Sequence, residues 1–406
     1  MIRGLLGSGW VGCLKRMVGR RNLPFADEER NTACAMDNLY AANRKDRPMN
    51  YNHKPRLVII TGAGASAGVV PTAKCLTNAP TLVKSPFITE IEQSLNNEEP
   101  AYTFEDVLHR CQQTARDYQN NTEYANSIEQ YFHSVLEVML RRLDKPHVGT
   151  PALATILDSL STRFSLTLAT LNWDDIPLRS QIPWYSGFIH GQFDADYLEH
   201  VYQFEHRVLW LHGSLHFLID PGTPPSIMWA NERENIRHAT LLPTISTADS
   251  ASTFFGPIIT GKEKRGQVMR RPFLDYRFVL YHDLLQADAL LIIGYRGGDT
   301  DLNEILRAAL WEDPRGRKHI VRVDYAENGQ NIPELFQWFN DTCGPRLRFC
   351  PPPSEQQIMP QCGLVRISGP EFGNHLSQVT STHTYIDLGG LQSASNHLSR
   401  IMDALQ

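Results

Sequence analysis

The sequence predicts an α/β fold: a doubly wound, Rossmann-like parallel sheet with a helical insertion and a small irregular or β C-terminal region. Three observations point to it. Short apolar runs rich in β-branched residues end in turn-forming residues. Helix-patterned stretches separate those runs, as parallel βαβ units require. The longest helical stretch follows the first glycine-rich turn, where it reads as an insertion hanging off the sheet.

The first strand is Leu57-Val58-Ile59-Ile60, a continuous apolar run of the kind that is buried on both faces. It feeds Thr61-Gly62-Ala63-Gly64-Ala65-Ser66. Pro86 to Leu143 then follows helical spacing. Phe104, Val107, Leu108 and Cys111 stand behind Thr103 as N-cap, and Ile128, Tyr131, Phe132, Val135, Met139 and Leu143 behind Asn126 or Ser127. A further helix is expected over 151–160, with proline at its start. Strands are expected over 164–171, ending in Asn172-Trp173-Asp174-Asp175, and over 207–211, ending in His212-Gly213. An aromatic loop (Trp184, Tyr185, Phe188, His190, Phe193) lies between them. After Pro221 some 45 residues look polar and irregular, a length that usually marks a functional or mobile loop. Regular pattern resumes with a helix over 273–285, a buried strand over 289–294, a helix over 300–311 capped by Asp299 or Thr300, and a strand over 319–324.

These elements divide the chain into a leader or oligomerisation arm (1–54), a main α/β domain (55–343, with the insertion at about 76–146) and a C-terminal extension (344–406). The extension has short strand-like pieces at Leu347-Arg348-Phe349 and Val365-Arg366-Ile367. The leader carries Arg3, Lys15, Arg16, Arg20 and Arg21 with no acid before Asp27, as transit peptides do, yet it has no small-residue cleavage site, and Met36 and Met49 are alternative starts. A net charge of −5 argues against a broad nucleic-acid face, and no apolar run is long enough to span a bilayer. The seven cysteines are odd in number, scattered and without a C-x-x-C pair, so a reducing, cytoplasmic setting is expected, with core or surface thiols and no metal knuckle.

Four turns carry candidate chemistry. Gly62-Ala63-Gly64 lies between a strand and helix-competent sequence, where backbone N–H groups can hold a diphosphate. Its third glycine is Gly68, a G-x-G-x3-G spacing, and a ligand-free tight turn fits as well. Asn172 and Asp174 follow a strand and could orient a ribose hydroxyl or a water, or simply close an Asx turn. His212 could serve as a general base or be a hydrogen-bonded structural histidine. His216, four residues on, makes a poor metal pair with it, because a strand-like run precedes them. Gly294-Tyr295-Arg296-Gly297-Gly298-Asp299 is another strand-to-helix loop. Such loops meeting at one sheet edge could enclose a dinucleotide.

Taken in order, Thr-Gly-Ala-Gly-Ala-Ser, Leu-Asn-Trp-Asp, Leu-His-Gly and Ile-Ile-Gly-Tyr…Asp resemble the sirtuin family over about residues 56–325, and most of all the bacterial sirtuin-like domains of antiviral defence systems. The resemblance implies NAD as substrate. Gly62, Ala63, Gly64 and Ser66 would hold its diphosphate, Asp174 would face ribose, and Gly294 and Tyr295 would line the adenosine side. Asn172 and His212 would be catalytic, His212 as a base on a ribose hydroxyl. Two departures bear on activity. The four zinc-binding cysteines of deacylating sirtuins are absent, so no metal is expected, and their Pro-Asp-Phe-Arg flap is replaced by Pro71-Thr72-Ala73-Lys74. The resemblance therefore implies an NAD glycohydrolase releasing nicotinamide and ADP-ribose, a regulated NAD-depleting defence effector. An NAD-dependent protein deacylase and a non-catalytic nucleotide-sensing scaffold are the alternatives. A homo-oligomer and an ATPase/translocase partner of the HerA type are expected from the resemblance, and no membrane partner is.

Overall fold

The computed structural model describes residues 54–66, 69–71, 73–98, 102–117, 122–144, 151–220, 226–230, 258–259, 268–295, 297–312, 319–323, 364–368, 383–387 and 398–405. The leader expected over 1–54 lies almost wholly outside them, as do Gly68, Leu347-Arg348-Phe349 and most of the stretch after Pro221.

The main sheet has seven strands in the order β10-β11-β9-β8-β1-β2-β5. They are β1 (Arg56–Thr61), β2 (Ser165–Thr170), β5 (Arg207–Trp210), β8 (Ala289–Ile293), β9 (His319–Val323), β10 (Leu364–Ser368) and β11 (His383–Asp387). All neighbouring pairs are parallel except β10 with β11. Leu57 to Thr61 and Ala289 to Ile293 are buried without interruption. Side chains alternate between faces along a strand, so continuous burial means that layers cover both faces, as expected from the unbroken apolar runs. The doubly wound expectation therefore holds. The described C-terminal pieces extend this sheet as its edge, and a final helix, α9 (Leu398–Ala404), packs against α5 (Ala152–Ser161) and β9.

The insertion after β1 comprises α1 (Ala73–Thr77), α2 (Pro86–Glu98), α3 (Phe104–Asp117) and α4 (Thr122–Leu143). Thr103 stands just before α3 as anticipated, but its hydroxyl donates instead of accepting: Asp106 takes its N–H and hydroxyl at 2.8 and 2.9 Å, and the Thr77 hydroxyl accepts the Phe104 N–H at 2.7 Å. α4 begins a full turn before Asn126 and Ser127, which stand inside the helix. A tertiary contact explains the extra turn: Tyr124 stacks on Phe87 of α2, with ring centroids 4.3 Å apart.

A second, antiparallel sheet has the order β3-β4-β7-β6: β3 (Phe188–Ile189), β4 (Gln192–Phe193), β6 (Phe217–Asp220) and β7 (Ser226–Trp229). His190 and Gly191 join β3 to β4 with φ of 52° and 77°, the two positive angles of a type I′ hairpin. β7 lies in a stretch that reads as irregular. It is only four residues long, and its pairing of Ile227 with Ile219 of β6 is set by the fold. The aromatic loop builds this sheet's core. Phe188 packs on Phe217 and Trp229, while Tyr185, α6 (Tyr197–His200) and Phe204 form a stack.

α7 (Phe273–Gln286) and α8 (Thr300–Glu312) pack on each other. α7 is pinned to the sheet by a buried ion pair. Arg207 Nε on β5 donates to Asp283 Oδ2 at 2.8 Å and to Thr167 Oγ1 on β2 at 2.9 Å, and the Thr167 hydroxyl donates to the same carboxylate at 2.7 Å. Arg207 Nη1 also donates to the carbonyls of Val201 and Phe204 at 3.3 Å. Removing one partner strands a desolvated charge. Asp283→Ala is expected to lower unfolding free energy in urea by about 3–5 kcal/mol. A loss below about 1 kcal/mol would mean that the pair behaves as a solvated one.

Candidate functional site

The parallel part of the sheet runs β5-β2-β1-β8-β9-β11, which renumbered is the 3-2-1-4-5-6 order of dinucleotide folds. The chain leaves β1 towards β2 and returns on the other side at β8. The crevice between the C-terminal ends of β1 and β8 is thus the topological switch point, where such sheets bind ligands. The glycine turn after β1 and the Gly294 loop after β8 both stand there.

The two loops meet backbone to backbone. Gly62 N–H donates to Ile293 O at 3.0 Å and Gly64 N–H to Gly294 O at 3.1 Å. A Cβ on Gly62 would come within 2.7 Å of Gly294 O, one on Gly64 within 2.7 Å of Gly294 Cα, and one on Gly294 within 2.4 Å of Ala65 N. Gly294 also has a φ of 61°, in the left-handed region. The glycines expected to face a diphosphate therefore have another reason to be glycine. The N–H groups of Gly62 and Gly64 are committed to the β8 side, and Ala63 is the residue of this turn that borders the cleft.

The turn continues through Ala63–Ser66 as a single 3-10 turn, which brings Ser66 beneath Asn172. Asn172 Nδ2 donates to Gly62 O at 2.9 Å and to Ser66 Oγ at 2.8 Å, and the Ser66 hydroxyl donates to Asp174 Oδ2 at 2.5 Å. Asp174 Oδ1 accepts the Ile176 N–H at 3.1 Å, which closes an Asx turn, the alternative to a ligand role for this loop. Both amide protons of Asn172 are thus used within the protein. What Asn172 offers a ligand is its carbonyl oxygen, an acceptor for a hydroxyl or a water. Asp174 is 2 % exposed, and burial pushes its carboxyl up to about 6, although the Ser66 hydroxyl and the Ile176 N–H pull the other way.

His212 follows β5, and its Nε2 lies 2.8 Å from Asp299 Oδ2 in an ion-pair contact, with the carboxylate off the axis of the ring N–H. The other Asp299 oxygen accepts the Leu302 N–H at 2.8 Å, so Asp299 is the N-cap of α8, as its sequence position predicts. The pairing with His212 joins residues 87 positions apart and has no local signature. Tyr295 is buried. Its hydroxyl donates to Asn303 Oδ1 at 2.8 Å and accepts the Asp299 N–H at 3.2 Å, so it braces the loop that presents Asp299. His216 does not join His212. Its ring stacks on Trp229 with centroids 4.8 Å apart, and its Nδ1 sits 2.7 Å from Ala230 O. Among the described residues no group of three or more His, Cys, Asp or Glu could hold a metal.

Ala63, Ser66, Asn172, Asp174 and His212 line one cleft of about 110 Å³. Its remaining wall was not legible in the sequence. Leu76, Phe104, Glu105 and Met139 come from α1, α3 and α4, so the insertion forms part of the site. Trp173 holds it there, its ring taking the edges of Phe104 and Phe132 at 5.5 and 6.4 Å. The aromatic loop lines no part of this cleft. No helix among the described residues is long and apolar enough to cross a membrane.

No family model and no curated protein matches the chain. Among solved structures it is similar to a Sir2 enzyme studied for mechanism and regulation (15% identity over 77% of this chain and 97% of the other, TM-score 0.33). It is also similar to a Sir2 homologue in complex with NAD (16%, 66% and 78%, TM-score 0.36) and to a Sir2–p53 peptide–NAD+ complex (13%, 69% and 86%, TM-score 0.35). Overlaps this loose transfer no residue role, and the site stands on its own geometry.

The raised Asp174 carboxyl predicts a pH signature in stability. Above about pH 6 the folded protein holds a charge that burial disfavours, and below its ordinary value of 3.8 both folded and unfolded chains are protonated, so the penalty vanishes. Stability from this group is therefore lost as pH rises through that window, by about 3 kcal/mol. Asp174→Asn is expected to raise the urea midpoint in mildly alkaline buffer, by a margin that shrinks as pH falls from about 6 towards 4. A margin independent of pH would contradict the assignment.

Proposed function

We propose that this protein hydrolyses the bond between nicotinamide and ribose in NAD, releasing nicotinamide and ADP-ribose. The observation that carries the reading is the convergence of Asn172, Ser66, Asp174 and His212 on one cleft at the C-terminal ends of β1, β2 and β5 of a dinucleotide-type sheet. The order of the four turn motifs, which resembles that of sirtuins, supports it independently. About 110 Å³ suits a single ring, well below the ~300–1,000 Å³ of sites that enclose a drug-sized ligand. The cleft would take the nicotinamide–ribose end, and the diphosphate would run over Ala63 and Ser66 towards the β8 loop.

The chemistry suits these groups. The C1′–N bond breaks with its electron pair going to nicotinamide, which leaves neutral, while positive charge develops on the ribose as an oxocarbenium-like ion. The carbonyl oxygen of Asn172 accepts a hydrogen bond from the attacking water and holds it at C1′. Water forms the new C1′–O bond and its proton passes to His212, directly or through a ribose hydroxyl. Asp174 sets the geometry of Ser66, and Ser66 that of Asn172. Unchecked loss of NAD would harm the host cell, so activity is regulated. A defence role in the cytoplasm, a homo-oligomer and an ATPase/translocase partner are parts of this proposal that rest on the resemblance alone.

The test is NAD turnover with product analysis. Asn172→Ala and His212→Ala are each expected to cut turnover about 10²-fold or more without loss of folding. If NAD is cleaved only when an acyl-lysine peptide is present and the acyl group is transferred, the protein is a deacylase. If NAD binds tightly and is recovered intact, it is a sensing subunit.

A further inference from the structure

We infer that Asp299 is a positioning residue for His212: its carboxylate holds the ring with the proton on Nε2. The inference deepens the reading above and takes the base role of His212 from it, while the Asp299–His212 geometry stands apart from that reading. Nε2 of His212 lies 2.8 Å from Asp299 Oδ2, and both side chains are buried, His212 at 7 % and Asp299 at 5 % exposure. The carboxylate lies beside the ring edge at Nε2, off the N–H axis, and its negative charge 2.8 Å away in a poorly solvated place favours a proton on that nitrogen. A ring protonated on Nε2 meets the same oxygen with a positive edge. The carboxylate therefore selects the Nε2–H tautomer.

The local structure keeps Asp299 in place for this task. Its second oxygen is engaged by the Leu302 N–H at 2.8 Å, and its backbone N–H by the Tyr295 hydroxyl at 3.2 Å. Tyr295 in turn donates to Asn303 on the first turn of α8, and the Arg322 guanidinium donates to the Tyr295 carbonyl at 3.3 Å. Among the described residues, the Arg277 guanidinium on α7 acts on Asp299 electrostatically. Arg277 on α7 lies 3.8 Å from Asp301 at the start of α8, and Asp174 and Glu105 line the same cleft as His212. The carboxylate thus reaches the ring from a capped helix end, where a rotamer change would break the cap.

Capping and tautomer selection can be separated, because serine and asparagine are N-caps as good as aspartate. Asp299→Ser keeps the cap but is too short to reach His212, and Asp299→Asn keeps the reach but presents no charge and can turn an N–H to the ring. Histidine-labelled wild type and variants are compared by two-bond ¹⁵N–¹H correlation above the titration range of the ring, with His212→Gln used to assign the His212 signals. The wild type is expected to show Nε2–H, Asp299→Ser a mixture and Asp299→Asn a shift towards Nδ1–H, with melting temperatures within about 4 °C of wild type because the cap survives. This readout needs no NAD turnover. In preparations that hydrolyse NAD, both variants lose about 10²-fold in kcat with KM little changed. A His212 tautomer unchanged in both variants overturns the inference, as does a wild-type kcat in Asp299→Ser where the wild type is active.

Discussion

The contact on which the site depends is the one between the turn after β1 and the loop after β8, made by backbone alone. Gly62 and Gly64 donate to Ile293 and Gly294, and a Cβ on any of the three glycines would sit within 2.7 Å of the opposite chain. This closure binds the two strands that flank the switch point beyond the end of their ladder. It fixes where the 3-10 turn at Ala63–Ser66 emerges, and through Ser66 it fixes Asn172 and Asp174. On the other side it fixes the start of the loop that carries Tyr295 and Asp299. A diphosphate-binding turn and a strand-crossing clamp ask for the same residue type, so glycine spacing by itself cannot separate them.

The second constraint is the insertion. Trp173 is the apolar residue inside the polar Asn172-Trp173-Asp174 motif, and its burial against Phe104 and Phe132 attaches α3 and α4 to the loop that holds Asn172. The helices that interrupt the Rossmann-like order therefore help to enclose the cleft. The small second sheet does a different job, burying its aromatic loop against α7 at Tyr276.

Much of this was legible in the sequence, for reasons that can be named. β1 and β8 were readable because strands buried on both faces leave uninterrupted apolar runs, and β2, β5 and β9 because apolar residues dominate short segments that end in turn-forming residues. The helix start after Thr103 and the cap at Asp299 were readable because helix ends carry local chemistry. Each of the four motif turns was found at the end of its strand. What lay beyond reach was set by distance along the chain. The first turn of α4 depends on Tyr124 meeting Phe87, β7 depends on β6, and the roof of the cleft depends on where the insertion folds back. Asp299 shows the boundary within one residue: its bond to Leu302 follows from position, while its approach to His212 follows only from the assembled sheet.

The measurement that bears most directly on the central claim is a crystal structure of the His212→Ala variant soaked with NAD. The account predicts intact dinucleotide with its nicotinamide ribose beside the Asn172 carbonyl oxygen, beneath Phe104 and Met139, and its diphosphate over Ala63 and Ser66. Dinucleotide bound elsewhere, or its adenine end seated beside Asn172, would contradict it.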